Sequence, residues 1–227
     1  MAFPDLADRL AEVNDRIGAA VERGGHSQQV TIIAVTKTHG PEAAHAAWTA
    51  GLRDVGENRI QEAVAKMEAV DVPLNWHLIG HLQRNKVKSI DRFVLLHSLD
   101  SARLADAVST VGIGRGQAVD VLVEVNVSGE DTKGGFGKAD LLIEAERLTG
   151  LAGIRVRGVM AMASFTAGDN ELHRTFADAR AALDVMRGAG HPAEELSMGM
   201  SNDYEIAVEE GATMVRLGTT LFGTRAS

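Results

Sequence analysis

The sequence predicts a closed parallel α/β barrel of eight strand–helix units with an extra helix at its N-terminus. Three observations carry this prediction. Strand-like and helix-like stretches alternate along the chain, the pattern of an α/β sheet. The strand candidates are apolar runs and not alternating ones, so both sheet faces are covered. The length of 227 residues suits one (β/α)8 barrel, which takes about 200 to 250 residues. The whole chain, 1–227, reads as a single domain. Periodicity does not count closure, so a doubly wound open sheet shares the same alternation.

Residues 1–25 form the first element. Leu6, Leu10, Val13, Ile17 and Val21 follow helical spacing, and Gly24 and Gly25 supply a stop. This helix is expected to lie on the barrel. Its acidic residues Asp5, Asp8, Glu12 and Asp15, and the lack of a basic start and apolar block, count against a targeting peptide. Ile32–Val35 is the first strand, followed by a helix opening at Pro41, a good first-turn residue. "LRDVGEN" is the second strand, with Ile60, Val64 and Met67 marking its helix. "LNWHLIG" is the third, followed by the polar "QRNKVKSI". "FVLLHSL" is the fourth, and Asp100 or Ser101 caps the helix beyond it. "VDVLVEVNV" is the fifth, with a helix around Leu141, Leu142, Ala145 and Leu148. "IRVRGVMAM" is the sixth, and Leu172, Phe176, Ala179, Leu183 and Met186 mark an amphipathic helix stopped by Gly188 and Gly190. "ELSMGM" is the seventh, with a helix from about Asn202, and "TMVRLG" is the eighth.

Composition removes several function classes. There is no cysteine, which excludes disulfides, thiolate nucleophiles and cysteine-based metal sites. The formal charge of -8 argues against nucleic acid and anionic membranes as partners. No apolar run approaches the ~18 residues of a membrane span. A cytoplasmic protein is the expectation.

In a barrel, functional groups gather at the C-terminal ends of the strands. The first strand delivers Lys37 there. The second delivers Glu57 and Asn58, the third His77 and His81, and the fourth His97. The fifth delivers Asn126 and Ser128, and the sixth Met160, Met162 and Ser164. The seventh delivers Ser197, Met200 and Ser201, and the eighth Arg216, Gly218 and Thr219. Lys37 is either a rim lysine with its ammonium in water or a nucleophile. A partly dry cavity favours an uncharged amine, which attacks carbonyls to form a Schiff base. Aldehyde cofactors and keto sugars are the matching targets.

The last two loops, "GMSND" and "LGTT", suit a phosphate. Gly199 and Gly218 let backbone N–H groups approach an anion, Ser201 and Thr219 add hydroxyls, and Asn202 and Asp203 open a helix whose dipole favours negative charge. The same residues also serve as ordinary turn and cap chemistry. Arg216 either pairs with an acid at the barrel base or points to the mouth, where it could donate to a heterocyclic nitrogen. His77 and His81 share a strand face by i, i+4 spacing, but no acid accompanies them, so no metal is expected. "SGEDTKGGFG", from Ser128 to Gly137, does not match the phosphate-loop spacing and reads as a loop over the mouth.

These blocks, in this order, resemble one family along nearly the whole chain. "AVTKTH", "GENRIQE", "WHLIGHLQRNK", "TKGGFG" and "LSMGMSNDYEIAVEEGATMVRLGTTLFG" are similar to the YggS/PROSC family of pyridoxal-phosphate homeostasis proteins. "TKTHG" departs where many relatives have a second lysine or a proline, and "TKGGFG" stands for the more usual "SKGG". The resemblance implies a barrel of the alanine-racemase N-terminal type (fold type III), monomeric or weakly dimeric. It implies pyridoxal 5'-phosphate (PLP) held as an aldimine on Lys37. By position, Ser201, Gly218 and Thr219 would bind the phosphate and Arg216 would face the pyridine nitrogen. Asn58, His81 and Met200 would line the pocket. An arginine there is only a donor and favours the unprotonated ring, weakening carbanion stabilisation. Related racemases take a second base, a tyrosine, from a separate C-terminal domain. This sequence stops a few residues after the eighth strand and has one tyrosine, Tyr204. The expectation is therefore a PLP carrier for storage or delivery, with PLP-dependent apo-enzymes as candidate partners, without robust catalysis. The alternatives are a PLP-dependent racemase using Lys37, with His81 or Tyr204 as further candidates, and a cofactor-free Schiff-base aldolase.

Overall fold

The computed structural model describes residues 2–127 and 134–223. Its sheet is a closed ring. The strands are β1 (Thr31–Val35), β2 (Asp54–Glu57), β3 (Asn75–Leu78), β4 (Leu95–Leu99), β5 (Val119–Asn126), β6 (Phe136–Gly137), β7 (Ile154–Met160), β8 (Glu195–Met200) and β9 (Met214–Leu217). The ring runs β1-β2-β3-β4-β5-β7-β8-β9 and back to β1, every pairing parallel. Parallel neighbours need a crossover, and the intervening helices supply it. They are α2 (Pro41–Thr49), α3 (Ile60–Ala69), a 3-10 segment (Arg84–Arg92), α4 (Ala102–Arg115), α5 (Leu141–Thr149), α6 (Asp169–Gly188) and α7 (Tyr204–Glu209). A short α8 (Thr219–Phe222) follows the last strand. The eight expected strands all form, and closure decides between the barrel and the open sheet.

Two cores result. Ile33, Leu95, Leu122, Met160 and Met214 fill the barrel interior. A larger apolar shell lies between strands and helices. Strands buried on both sides explain why the sequence shows continuous apolar runs.

Three local differences have physical reasons. "QRNKVKSI" forms a 3-10 segment, anchored by buried Val87 and Ile90 alone. Phe136–Gly137 forms a short strand parallel to the end of β5, with Phe136 buried. The described end of the "SGEDTKGGFG" stretch is thus tied to the sheet, while residues 128–133 lie outside the described residues. α8 is too short to show in hydrophobic periodicity.

The N-terminal helix α1 (Leu6–Gly24) buries Leu6, Leu10, Val13, Ile17 and Ala20. Gly25 ends it in the left-handed conformation, φ 68°, its N–H donating to Val21 O. Arg16 pairs with Glu205 and Arg23 with Glu209, on α7. Each large buried apolar side chain contributes about 1.5–3 kcal/mol, and an exposed ion pair about 0–1 kcal/mol. Burial therefore docks the helix, and the ion pairs set its register. Among the described residues, no helix is long and apolar enough to cross a membrane.

Candidate functional site

A cavity of about 350 Å3 opens at the C-terminal ends of the strands. Lys37 follows β1 on one side. Ser201, Gly218 and Thr219 stand on the rim after β8 and β9, and Arg216 reaches in from β9. Asn58 and Met200 complete the group, with apolar walls from Val35, Ile79, Met162 and Leu172. Of the eight site residues read from the sequence, seven line this cavity. His81 does not. β3 ends at Leu78, so strand alternation does not extend to residue 81. His81 lies exposed, its Nδ1 2.7 Å from Asp100 Oδ2, and lines two neighbouring depressions instead.

The turn carrying Lys37 is held from behind. Thr36 Oγ1 donates to Glu57 Oε1 at 2.5 Å, and Lys66 Nζ donates to Thr36 O at 2.8 Å. Lys66, on α3, also pairs directly with Glu57. All three residues are buried. Glu57 therefore faces the helix layer and not the mouth, where the strand-end reading put it. Ahead of this clamp, Thr38 adopts φ 70°, a strained conformation for a β-branched residue. Lys37 itself is exposed. Its amine sits on the cavity wall beside solvent, where the sequence reading expected a partly dry setting.

The anion side is more structured than expected. Asp203, at the start of α7, accepts the Met200 N–H at 2.6 Å. Burial pushes the Asp203 carboxyl up, outweighing that hydrogen bond and the Arg216 charge. That hydrogen bond lies ahead of the helix, and among the described residues Asp203 makes no side-chain cap to the first turn of α7. Ser201 and Thr219, which opens α8, stand on the same rim. Thr220 N–H and Oγ1–H stitch the two loops by donating to Ser201 Oγ at 3.3 Å and Ser201 O at 3.4 Å. Gly199, at φ 88°, lets α7 approach: a Cβ there would meet Ala207 Cβ at 2.6 Å. At Gly218 a Cβ would meet Val35 at 3.6 Å, an ordinary contact.

Arg216 is buried, and burial lowers its guanidinium to about 10, so it stays cationic at neutral pH. Its Nη1 donates to Ser197 O at 2.9 Å and Ser197 Oγ at 2.6 Å, and its Nη2 to Ala161 O at 3.0 Å. Among the described residues no acid pairs with it directly, and these bonds use three of its five N–H donors. His77, His97, Ser197 and Met160, expected at strand ends, sit inside the barrel. The sequence reading missed Asp203 as an acceptor, and Glu124. Glu124 interrupts an apolar strand, a readable signal, and burial followed by Asp100 pushes its carboxyl up. Tyr204 is buried, its hydroxyl has no hydrogen-bond partner among the described residues, and Arg16 lies over its ring. Ser128 lies outside the described residues. Among the described residues, no group of three or more His, Cys, Asp or Glu gathers to hold a metal ion.

The donor set fits PLP. The cavity is at the small end of ligand sites, about 300–1,000 Å3. An amine, a buried guanidinium and a hydroxyl-and-backbone rim correspond to an aldehyde, a ring nitrogen and a phosphate.

The model of the alanine racemase N-terminal domain family matches residues 10–226. A pyridoxal phosphate homeostasis protein of Aquifex aeolicus is 40% identical over 225 residues, 97% of this chain and 99% of the relative. One of Pseudomonas aeruginosa is 42% identical over 224 residues, 97% and 96% of the two chains. The structure of PipY from Synechococcus elongatus PCC7942 with PLP bound superposes with a TM-score of 0.85 at 35% identity, covering 96% of this chain and 100% of PipY. The chain belongs to the alanine racemase N-terminal domain family and, within it, to the pyridoxal phosphate homeostasis proteins.

Proposed function

We propose that this chain binds PLP and serves its cellular supply, holding the cofactor for storage or delivery. One observation carries the reading: Lys37, Arg216 and the Ser201–Gly218–Thr219 rim converge on one cavity. Membership of the homeostasis family and the PLP-bound PipY relative support it.

Bound, the cofactor supplies an aldehyde and an electron sink. Lys37 Nζ would be the group to hold the aldehyde. Ser201, Gly218 and Thr219 hold the phosphate through hydroxyl and backbone N–H donors. Arg216 would offer a donor to the ring nitrogen, which would favour the unprotonated ring and weaken the sink. Asn58 and Met200 would line the pocket around the cofactor, and His81 stands outside it with Asp100. Tyr204 is not a cavity residue, so it supplies no proton there. Solvent reaches Lys37, which suits release of the cofactor to an apo-enzyme better than retention through a catalytic cycle.

Titration with PLP should produce an absorption band near ~420 nm, the signature of a lysine linkage. Borohydride should fix it on the peptide containing Lys37, and Lys37→Ala should show neither. A label on another lysine removes the assignment. Exchange of the α-hydrogen of alanine or serine, followed in deuterated water, should not exceed that of free PLP. Faster exchange would favour the racemase.

A further inference from the structure

A hydrogen-bonded chain crosses the barrel interior from the cavity to the base. Arg216 Nη1 meets Ser197 Oγ at 2.6 Å. Ser197 Oγ meets His97 Nδ1 at 2.9 Å. His97 Nε2 meets His77 Nδ1 at 2.9 Å, and His77 Nε2 meets Asp54 Oδ1 at 3.0 Å. Ser197, His97 and His77 are buried, while the Asp54 side chain is 23% exposed. Asp54 opens β2, so it sits at the opposite end of the barrel from the cavity.

The chemistry of its ends gives this chain a direction. Arginine only donates and a carboxylate only accepts. Arg216 therefore donates to Ser197, whose hydroxyl donates to His97 Nδ1. His97 donates from Nε2 to His77 Nδ1, and His77 donates from Nε2 to Asp54. Each nitrogen and oxygen has one consistent role. An added proton on the His77–Asp54 pair leaves one other setting. His77 then donates at both nitrogens, His97 must carry its hydrogen on Nδ1, and Ser197 Oγ accepts from both His97 and Arg216. The protonation of the base thus dictates which way the hydroxyl beside Arg216 points.

We propose that Ser197, His97, His77 and Asp54 form a positioning relay that orients the Arg216 guanidinium and couples the cavity to protonation of the His77–Asp54 pair at the barrel base. The proposal rests on the reading of Arg216 as the group facing the bound cofactor. The charged groups around the relay are few. Glu124 and Asp203 act on Arg216, while Arg216 and His77 act on His97. His77 and the neutral Asn75 amide, 3.1 Å away, act on Asp54. Burial holds the His97 ring well below the ordinary histidine range, so it shuttles between tautomers without gaining charge. Burial alone would raise Asp54, but the hydrogen bonds from His77 and Asn75 bring it down, keeping the acceptor end ionised.

The test uses the full chain labelled with 15N-histidine, with and without PLP. At neutral pH, ring-nitrogen shifts should show His97 with its hydrogen on Nε2. On acidification His97 should change to Nδ1–H as His77 becomes doubly protonated. In Asp54→Asn, with an unchanged far-UV spectrum, the PLP dissociation constant should rise several-fold. The pH midpoint of the visible band should move by the same amount as the His77 midpoint. Ser197→Ala should raise the dissociation constant about tenfold and uncouple the band from His77 altogether. His97 with its hydrogen on Nδ1 at neutral pH in the wild type overturns the relay. So does a band midpoint in Asp54→Asn that stays put while that of His77 moves. If the wild type takes up no PLP, the functional reading fails, and the histidine measurements alone then decide the relay.

Discussion

Lys66 shows how a single residue can hold a site it does not enter. It is buried on α3, donates to the carbonyl of Thr36 and pairs with Glu57, fixing the backbone beside Lys37. The second Glu57 oxygen, Oε2, has no hydrogen-bond partner among the described residues, so the charge already sits at a cost. Removing the cation leaves that carboxylate buried alone. Lys66→Met should lower unfolding free energy by about 3–5 kcal/mol, read from urea denaturation. The double variant Glu57→Met/Lys66→Met should recover most of it, because a hydrophobic pair of similar volume carries no stranded charge. At this scale the sequence was partly legible. Lys37, Ser201 and Arg216 could be picked out because a charged or hydroxyl residue at the end of an apolar run has few reasons to be there. Lys66 could not, since a lysine in a helix of mixed polarity looks like any solvated one. The i, i+4 spacing of His77 and His81 does not place them on one strand face, because β3 ends at Leu78.

Among elements, the contact between α6 and the end of α7 depends on pH through one carboxylate. Glu210, just after α7, accepts from His173 Nδ1 at 2.9 Å and from Arg180 Nη1 at 2.7 Å, both on α6. Burial pushes its carboxyl up, but these two partners outweigh it and the net shift is downward. A depressed folded value means that Glu210 stabilises the native state fully above the ordinary glutamate value, about 4.3. That contribution disappears as pH falls through the lower folded value. In Arg180→Met the depression shrinks. The variant should be less stable than wild type at pH 7, and the gap should narrow below pH ~4, as followed by urea midpoints across a pH series. A gap that is constant with pH would place the effect of Arg180 in packing alone. The helices themselves were readable, α1 and α6 from their apolar stripes. The 3-10 segment and α8 were not, because neither buries a stripe long enough to show a period.

For the whole molecule, the cavity links stability to ligand. A ligand that binds only the native state stabilises it by about 2.7 kcal/mol at a concentration 100 times its dissociation constant. PLP should therefore raise the thermal midpoint in a concentration-dependent way, measured by scanning calorimetry. Lys37→Ala should show a much smaller rise at the same concentration. An equal rise in the variant would mean that the phosphate rim and Arg216 hold the cofactor without the lysine. Barrel closure makes this linkage possible, because the first and last strands become neighbours only when the ring shuts. That contact brings Lys37 beside Gly218 and Thr219, residues about 180 positions away along the chain.

The sequence by itself determined the eight barrel strands and their long helices, the order of these, the parallel sheet and the shortlist of rim residues. Each of these is written in local periodicity, in turn residues, or in a charge set within an apolar run. Only the tertiary structure decided closure, the outward turn of Glu57 toward Lys66, the exposure of Lys37, and the passage of one polar chain from Asp54 to Arg216. These depend on the stagger between neighbouring strands and on which strands face each other across the ring. Local sequence carries no record of either, because a shift of one residue in pairing exchanges the inward and outward sets without changing any strand's own pattern.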